Sequence, residues 1–418
     1  MIVKSALVGG TIQIISSKSE LHRLLLIGAV SNSSVKIEYS STLSDDVLAT
    51  ANCINAVGGK VEFFDGYMVV NPIIPTHTNA QVCPNESGST LRFILPIFSA
   101  LGLDYTVTVN GRLSSRPLSP LYELMSDSGV SLSKNGVYPL TVSGKLSSNE
   151  YEIDGSVSSQ FISGLLMSLP LIANNGKVVV TGDFQSQSYV DITIDAMQKF
   201  GAVVTKTGRT YEVKCDQYQS KSDLKAGGDW SNGAFALVCG ALRELGVKVT
   251  GLEQNSKQGD KKILDVLAQI GANITIENDG ITIKKGSLMP IEIDVGDIPD
   301  LVPIIAVICS VCAGTSKIKN VRRLRLKESD RVQSVIEMIN ALGGDAYEQD
   351  DCIYINGVEQ LTGGTVDSYN DHRIVMASAI ASVVCKSEVK ILNANAVTKS
   401  YPNFFQVFNK IGIIGKED

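Results

Sequence analysis

Several features that mark whole classes of proteins are scarce in this 418-residue sequence. Aromatic residues make up 6% of the chain, which contains one tryptophan and three histidines. The formal net charge is -6 and the pI is near 5.3, and no long basic block occurs. Because a nucleic-acid-binding protein needs a basic surface to neutralise phosphates, these absences argue against a nucleic-acid partner. Any cationic site must therefore be local.

Long apolar runs are also missing, and so are cysteines with the paired spacing of a metal site. No stretch reaches the roughly 18 apolar residues of a membrane-spanning helix, and the first residues alternate instead of forming the apolar block of a signal peptide. The eight cysteines lack the paired spacing of a metal site, and the one close pair, Cys309 and Cys312, lies in an apolar run. We therefore expect small core cysteines, no metal, no membrane association and a reducing cytoplasmic location.

The densest charge lies between Arg322 and Arg331, where five cations and two carboxylates occur within ten residues. The residues that follow have helical spacing, and Ser329 is the expected N-cap. Lys327 and Arg331 would then lie at a helix N-terminus, where a cation is disfavoured unless an anion binds beside it. The pattern indicates a phosphate or carboxylate site, and the alternative is a solvated charged turn.

One pattern recurs along the whole chain at intervals of roughly 70 residues. An amphipathic helix ends near a glycine and an alternating strand follows, with the glycines at Gly58, Gly129, Gly201, Gly271, Gly343 and Gly412. A second series, spaced by 71 residues, opens a polar cluster before each strongly apolar helix: Ser16, Ser87, Ser158, Asp229, Asp300 and Asp371. Helices that are apolar on nearly all sides are buried. The sequence therefore predicts six βαβαββ units around buried helices.

Six such units would form either one long array or two clusters of three. The usual size of domains favours two similar α/β (α+β) domains of about 200 residues each. We place the chain crossings near residues 16 and 226, so that one domain comprises residues 1–15 and 226–418 and the other residues 16–225. Eight cations fall at repeat-related helix starts: Lys18, Arg23, Arg92, Arg116, Lys327, Arg331, Arg373 and Lys399. This arrangement predicts anionic ligands in a cleft lined by helix N-termini.

Nine short motifs occur in order along nearly the whole chain: Lys18-Ser19 with Arg23; Gly88 with Arg92; Arg116-Pro117; Ser158-Ser159-Gln160-Phe161; Ser186 with Tyr189-Val190-Asp191; Ile298-Pro299-Asp300; Lys327-Glu328-Ser329-Asp330-Arg331; Asp371-His372-Arg373; and Lys399-Ser400-Tyr401-Pro402. Each motif alone is a weak signal. As an ordered set they resemble the 3-phosphoshikimate 1-carboxyvinyltransferase family of the shikimate pathway.

The resemblance implies the inside-out barrel architecture of the enolpyruvyl transferases, with two domains that close on substrate. It implies transfer of the carboxyvinyl group of phosphoenolpyruvate to the 5-hydroxyl of shikimate 3-phosphate, on the route to chorismate and aromatic amino acids. It also implies a cytoplasmic monomer without a metal or organic cofactor.

Carried over to this chain, the resemblance assigns residues to three roles. The expected ligands of shikimate 3-phosphate are Lys18, Ser19, Arg23, Ser158, Ser159, Gln160, Ser186, Tyr189, Asp300 and Lys327. Those of phosphoenolpyruvate are Lys18, Gly88, Arg116, Gln160, Arg331, Arg373 and Lys399, because arginine suits carboxylate and phosphate. For catalysis, Asp300 is the candidate base and Glu328 the candidate acid, and Lys18 could assist at the phosphate bridge oxygen.

The chain departs from the family pattern in two places, and its histidines carry little functional signal. The family usually has Asn-Ala-Gly-Thr where this chain reads Glu86-Ser87-Gly88-Ser89, and Arg323 stands where asparagine is common. His22 and His372 are expected to be structural, and His77 lies in a polar loop. Trp230, next to the second crossing, is either a packing residue or a reporter of domain closure.

Two other functions compete with this interpretation. The related transferase that uses UDP-N-acetylglucosamine shares the six-unit architecture, but it typically has a cysteine in the loop before its Arg-Pro. Residues 110–117 contain none. A non-catalytic anion-binding scaffold would need the cations but not Asp300 and Glu328.

Overall fold

The computed structural model describes residues 1–40, 42–74, 79–220 and 223–417, so His77 lies outside the described residues. The chain divides into two compact units. Unit 1 comprises Met1–Ile15, Thr42–Ser44 and Gly227–Asp418, and unit 2 comprises Ser16–Ser41 and Asp45–Ala226. Among the described residues, every helix is too short or too polar to cross a membrane.

Helices occur in both units at the regular intervals that the repeat predicts. The α-helices are α1 (Lys18–Ala29), α2 (Asp45–Ala56), α3 (Gly88–Ala100), α4 (Leu121–Asp127), α5 (Ser159–Ser168), α6 (Gln187–Lys199), α7 (Trp230–Ala241), α8 (Ile263–Ile270), α9 (Val302–Cys309), α10 (Arg331–Ala341), α11 (His372–Ala381) and α12 (Phe404–Asn409). Short 3₁₀ helices span Gly111–Ser115, Leu169–Leu171, Gly259–Lys262, Pro299–Leu301, Arg322–Leu326, Ser382–Val384 and Ala394–Lys399.

The strands are short, and each follows or precedes one of these helices. They are β1 (Ile2–Ser5), β2 (Gly10–Gln13), β3 (Val35–Glu38), β4 (Lys60–Phe64), β5 (Tyr67–Asn71), β6 (Ala80–Val82), β7 (Tyr105–Val107), β8 (Val130–Leu132), β9 (Leu140–Gly144), β10 (Glu150–Asp154), β11 (Asn175–Thr181), β12 (Val203–Thr207), β13 (Thr210–Lys214), β14 (Asp223–Lys225), β15 (Val247–Thr250), β16 (Asn273–Glu277), β17 (Gly280–Lys284), β18 (Glu292–Asp294), β19 (Thr315–Lys319), β20 (Asp345–Gln349), β21 (Cys352–Asn356), β22 (Gly364–Asp367), β23 (Val389–Leu392) and β24 (Ile413–Lys416).

These strands form six four-stranded sheets with one common topology. The orders are β14-β3-β5-β4, β6-β7-β9-β8 and β10-β11-β13-β12 in unit 2, and β2-β15-β17-β16, β18-β19-β21-β20 and β22-β23-β1-β24 in unit 1. In every sheet the first two strands are parallel and the other pairs are antiparallel. A parallel pair needs a crossover, and in the four sheets whose parallel strands are consecutive in sequence a buried helix supplies it, namely α3, α5, α9 or α11. Each unit thus holds three βαβαββ repeats, which confirms the predicted fold class.

Three sheets are completed by strands that are remote in sequence, and in one of them β2 pairs with β15 in unit 1, with Ile12 opposite Val249. In unit 2, β14 pairs with β3, with Leu224 opposite Ile37. In unit 1, β1 pairs with β24, with Val3 opposite Gly415. In each unit, at least one repeat is therefore completed by a strand from a distant part of that unit's sequence.

The predicted buried helices form the cores of the units. In unit 1, α7, α9 and α11 pack against one another, and nearly all of their residues are buried. In unit 2, α3 packs closely on α5 because Gly164 lies against the carbonyl of Arg92, where a β-carbon would be 2.6 Å from the oxygen. Trp230 is fully buried, and its Nε1 donates to the carbonyl of Glu253, as the packing interpretation expects.

Both repeat series have a clear structural meaning. The six glycines have φ between +82° and +98°, the left-handed conformation that was predicted after each amphipathic helix. Four members of the 71-residue series are N-caps, whose side chains accept backbone N–H groups of the helices that follow: Ser87, Ser158, Asp229 and Asp371. In the first repeat the cap is Ser17, the residue that follows Ser16 of the series. Asp300 instead lies within a 3₁₀ turn before α9.

Candidate active site

The charged stretch before α10 begins a helix one residue later than predicted. Asp330, not Ser329, is the N-cap of α10, because its carboxylate accepts the backbone N–H groups of Val332 and Gln333. An aspartate cap also contributes negative charge where the helix dipole favours it. Ser329 is buried, and its hydroxyl donates to Asp371 at 3.0 Å.

Asp300 is the meeting point of three cations. Its Oδ1 accepts from Arg331 Nη1 at 2.8 Å and from Lys327 Nζ at 3.2 Å, and its Oδ2 accepts from Arg373 Nη2 at 3.3 Å. Burial alone would raise the pKa of the Asp300 carboxyl, but Lys327, Arg373 and Arg331 hold it well below its usual range. Asp300 is therefore a carboxylate at neutral pH. Because Asp300 does not cap a helix, both of its carboxylate oxygens can accept hydrogen bonds from cations.

Arg331 is buried and surrounded by three carboxylates. Its Nε donates to Asp371 Oδ2 at 2.8 Å, its Nη1 donates to Asp300, and its Nη2 donates to Glu328 Oε2 at 2.7 Å. Its side chain is 1% exposed. Burial lowers the pKa of Arg331, but Asp371, Glu328 and Asp300 raise it well above its usual value. The guanidinium is thus permanently charged and fixed in orientation.

The residues of this network come from the N-terminal ends of three helices in unit 1, of which α9 and α11 are buried and α10 is amphipathic. Asp300 precedes α9, Asp371 caps α11 and Arg373 lies in its first turn. The charge of Asp229, the cap of α7, acts on Arg373 as well. We call Asp300, Lys327, Glu328, Arg331, Asp371 and Arg373 the unit 1 charge cluster. Helix N-termini that converge on arginine and lysine side chains form a site suited to anions.

Arg325, from the charged stretch, and Lys399, expected from the resemblance, lie outside the unit 1 charge cluster and differ in environment. Arg325 is exposed, as expected of a solvated charge, and it also pairs with Asp330 and Glu348. Lys399, at the end of the 3₁₀ helix Ala394–Lys399, donates to the carbonyl of Asn370 at 2.7 Å. Asn370 immediately precedes Asp371, so this bond joins Lys399 to the segment that begins α11.

In unit 2, Lys18 is held by a carboxylate that the sequence interpretation did not include. Its Nζ donates to Asp46 Oδ2 at 2.8 Å, and the two side chains are 15% and 14% exposed. Lys18 is the first residue of α1 and Asp46 lies in the first turn of α2. A lysine at a helix N-terminus is opposed by the helix dipole, so Asp46 compensates for this placement.

Gln160, Ser89 and Arg92 connect the starts of α5 and α3. Gln160 Nε2 donates to Ser89 Oγ at 2.8 Å, and Gln160 Oε1 accepts from Arg92 Nη1 at 2.7 Å. Beside them, Gly88 lies against Arg116, so that a β-carbon at residue 88 would be 2.6 Å from Arg116 Nη1. Glycine is therefore needed at this position for the guanidinium to keep its place. We call Lys18, Asp46, Gly88, Ser89, Arg116 and Gln160 the unit 2 polar group.

The guanidinium of Arg23 donates hydrogen bonds to acceptors of the protein itself. Its Nε donates to Thr193 Oγ1 at 2.7 Å, its Nη1 to the carbonyl of Ser19 at 2.6 Å and its Nη2 to the carbonyl of Tyr189 at 2.9 Å. Burial lowers the pKa of Arg23 to about 10. Ser186, which precedes α6 in a left-handed conformation with φ of 57°, is three residues before Tyr189. Arg23 therefore ties α1 to the start of α6.

Comparisons with known proteins identify the family. A family model described as EPSP synthase (3-phosphoshikimate 1-carboxyvinyltransferase) matches residues 2–408. The chain is 39% identical over 415 residues to a 3-phosphoshikimate 1-carboxyvinyltransferase from Clostridium novyi, covering 96% of this chain and 95% of that protein. The chain belongs to the EPSP synthase family.

More distant relatives agree with this family assignment. A 3-phosphoshikimate 1-carboxyvinyltransferase from Methanocorpusculum labreanum is 34% identical over 422 residues, with all of both chains covered. A solved EPSP synthase structure from Acinetobacter baumannii matches with a TM-score of 0.82 at 22% identity and covers 99% of both chains. The enolpyruvyl transferase NikO from Streptomyces tendae matches with a TM-score of 0.77 at 13% identity, covering 99% of this chain and 97% of that one. At these identities the solved structures show the fold alone.

Within this EPSP synthase family member, several residues expected to act together are in contact. Asp300, Lys327, Arg331 and Arg373 lie in one hydrogen-bonded network with Glu328. Ser158 caps α5 by accepting the N–H of Gln160, and Ser159 is buried beside it. His22 is buried and paired with Thr50, which confirms its structural assignment. All eight cysteines are free, and six of them are buried.

Sequence reasoning missed four residues, of which three belong to these two groups and Asp260 belongs to neither. Asp46, Ser89, Asp371 and Asp260 contact or influence the expected site residues, yet none was assigned a role. Asp371 had a signal, because it belongs to the 71-residue series and to a family motif. Ser89 and Asp46 had none, since a polar residue in the first helical turn is ordinarily explained by the helix dipole. Asp260 also lacked a signal, because only the fold brings it near α9 and α11.

Proposed function

We propose that this chain transfers the carboxyvinyl group of phosphoenolpyruvate to the 5-hydroxyl of shikimate 3-phosphate, with release of inorganic phosphate. The observation that carries the proposal is the unit 1 charge cluster in a chain that matches the EPSP synthase family over residues 2–408. Two polyanionic substrates repel each other, and only fixed cations in a site of low polarity can offset that repulsion.

We propose the following ligands for the two substrates. Shikimate 3-phosphate is bound by Lys18, Ser19, Arg23, Ser158, Ser159, Gln160, Ser186, Tyr189, Asp300 and Lys327. Phosphoenolpyruvate is bound by Lys18, Gly88, Arg116, Gln160, Arg331, Arg373 and Lys399. The geometry of Gly88 supports its place in the second set, since the absence of a β-carbon leaves Arg116 Nη1 close to the start of α3.

The chemistry requires a base, an acid and a leaving phosphate. Asp300 removes the proton of the 5-hydroxyl as that oxygen attacks C2 of phosphoenolpyruvate, and Glu328 protonates the methylene carbon. Elimination from the tetrahedral intermediate then removes a proton from the new methyl group and expels phosphate, with Lys18 near the bridge oxygen.

The ion pairs of the unit 1 charge cluster set the order of events. While Lys327, Arg331 and Arg373 face Asp300, its low pKa makes it a poor base. When substrate anions bind beside these cations, they offset part of the positive charge that acts on Asp300, and its basicity rises. The bound anions also compete with Glu328 for the charge of Arg331, so that Glu328 can take up a proton. Substrate binding thus activates both carboxyl groups.

The proposal extends to the setting of the enzyme. Its product lies on the route to chorismate and the aromatic amino acids. Eight cysteines without a disulfide support a reducing cytoplasm. We propose that it acts as a monomer, which light scattering coupled to gel filtration would test.

The decisive experiment measures phosphate release from phosphoenolpyruvate with either shikimate 3-phosphate or UDP-N-acetylglucosamine as acceptor. We expect turnover with shikimate 3-phosphate and none with the nucleotide sugar. Turnover with UDP-N-acetylglucosamine instead would assign the chain to the related transferase reaction. If neither acceptor gave phosphate, and Asp300→Asn and Glu328→Gln weakened nothing but phosphate binding, the scaffold alternative would be supported.

A further inference from the structure

Asp260 is a buried carboxylate that has no role in the mechanism above. It lies in the 3₁₀ helix Gly259–Lys262 just before α8, and it is 3% exposed. Its Oδ2 accepts a hydrogen bond from the hydroxyl of Ser231, in the first turn of α7. Its Oδ1 has no hydrogen-bond partner among the described residues. An unpartnered buried carboxylate oxygen is costly, so the atom requires a functional explanation.

Among the residues that the structure describes, Arg373 has N–H donors without a partner, whereas Asp260 has a carboxylate oxygen without one. It is 3% exposed, and its Nη2 donates to Asp300 at 3.3 Å. Its Nε and Nη1 donate to no acceptor in the described part of the chain. A guanidinium carries five N–H donors, of which three belong to Nε and Nη1. The larger part of this buried group is therefore directed at something other than the protein's own acceptors.

The two groups belong to one cluster of buried charges. The charge of Asp260 is one of the influences on Arg373, and that of Arg373 is one of the influences on Asp260. No ion pair joins Asp260 to Arg373 within the described chain, where the partner of Arg373 is Asp300. A bound anion can therefore interact with both groups without displacing a bond between them.

The surroundings of Asp260 favour its neutral form. Burial is the largest cause, and Asp300 (before α9) and Asp229 (the cap of α7) act in the same direction. Arg373 from α11 and the hydroxyl of Ser231 from α7 act in the opposite direction. The net effect raises the pKa of Asp260 to about 6. A further negative charge placed nearby would raise it again, since like charges disfavour ionisation.

We propose that Asp260 and Arg373 form one anion-binding pair, in which Arg373 donates Nε–H and Nη1–H and neutral Asp260 donates Oδ1–H to the same bound anion. The inference rests on the proposed function and deepens it, because phosphoenolpyruvate, already assigned to Arg373, supplies that anion. In its ionised form Asp260 would repel the ligand. The proton is taken from solvent when the anion binds and returns to solvent when the anion leaves.

The test compares the pH dependence of phosphoenolpyruvate binding in three proteins, measured by titration calorimetry between pH 5.5 and pH 8.5. Asp260→Asn replaces the acid by an amide that can donate at every pH and accept from Ser231. Asp265→Asn removes one exposed carboxylate from the neighbouring helix α8 and is the matched control. The ligand's own phosphate titrates identically in all three experiments and cancels in their ratios.

For wild type relative to Asp260→Asn, we expect the dissociation constant to rise by up to about tenfold per pH unit above pH 6, because one proton is linked to binding. Calorimetry in buffers of different ionisation enthalpy should show greater proton uptake by wild type at pH 7.5. Asp265→Asn should follow wild type. Ser231→Ala, which removes a bond that lowers the pKa of Asp260, should move the onset of weaker binding to higher pH.

The outcomes separate this inference from the proposed function. If Asp260→Asn and wild type show parallel pH dependence, Asp260 does not bind the anion, even if the enzyme turns over shikimate 3-phosphate. If turnover fails but the Asp260-dependent proton uptake is observed, the anion pair stands and the proposed reaction does not. Should Asp260→Asn fail to fold, an unmoved onset in Ser231→Ala would overturn the inference.

Discussion

Arg331 and Asp371 are joined by two hydrogen bonds, with Nε 2.8 Å from Oδ2 and Nη2 3.2 Å from Oδ1. The same Oδ1 accepts the backbone N–H of Arg373 at 2.9 Å and so caps α11. One carboxylate therefore fixes the side chain at the start of α10 and the backbone at the start of α11. The orientation of the proposed phosphoenolpyruvate ligands Arg331 and Arg373 depends on it.

Replacing Asp371 with alanine should destabilise unit 1. The change uncaps α11 and leaves buried Arg331 without one of its three carboxylates. Removing one partner of a buried ion pair leaves the other charge uncompensated in an apolar environment. We therefore expect the free energy of unfolding to fall by about 3–5 kcal/mol. Urea unfolding followed by tryptophan fluorescence measures this. Asp371→Asn keeps a capping oxygen and should lose less, and equal losses for the two variants would contradict the dual role.

Replacing Glu328 with glutamine should slow turnover without weakening substrate binding to the same extent. The amide cannot protonate the methylene carbon, and general acid catalysis typically contributes about 10²–10⁴-fold. We therefore expect kcat to fall by at least about 100-fold, with a smaller change in the KM for either substrate. Steady-state phosphate release with Asp265→Asn as control tests this. Near-full turnover by Glu328→Gln would remove Glu328 from the role of acid.

Replacing Gly88 with alanine should affect phosphoenolpyruvate selectively. The new β-carbon would be 2.6 Å from Arg116 Nη1, so the guanidinium must move. The end of a flexible side chain can move at little cost to folding, and we expect stability to change little. The KM for phosphoenolpyruvate should rise by about tenfold, equivalent to about 1.4 kcal/mol, while that for shikimate 3-phosphate stays similar. An equal rise in both KM values would indicate a general distortion of α3 instead.

Neutralising Asp300 and Asp260 should change stability with opposite dependence on pH. The pKa of Asp300 is lowered on folding, so its stabilising contribution is present above the unfolded value of 3.8 and is lost as the pH falls through its folded pKa. The pKa of Asp260 is raised to about 6, so its contribution is present below pH 3.8 and is lost as the pH rises to about 6.

The measurement is the free energy of unfolding from pH 2 to pH 8. Asp300→Asn should be less stable than wild type at pH 7 and approach it in acid. Asp260→Asn should gain on wild type between pH 4 and pH 6, by up to about 3 kcal/mol, and keep that gain at higher pH. Parallel profiles for the two variants would show that the two carboxyl groups do not differ in this way.

Much of the fold could be read from the sequence because its signals are local. Glycine is the favoured residue where the chain takes a positive φ after a helix, and all six predicted glycines have a positive φ. The buried helix α9 is apolar over its whole length, which no exposed helix tolerates. The predicted N-cap of α10, Ser329, was wrong by one residue, because neighbouring polar residues can each serve as a cap.

The sequence by itself determined the six repeats, the charged stretch before α10 and the family motifs, since each depends on residue type and spacing alone. Only the tertiary structure decided which charges face each other. Asp300, Arg331 and Asp371 meet because α9, α10 and α11 begin at the same place in unit 1, and the partners of a buried charge fix its protonation. Asp260 acquired its raised pKa in the same way, from burial and from neighbours more than 30 residues away in sequence.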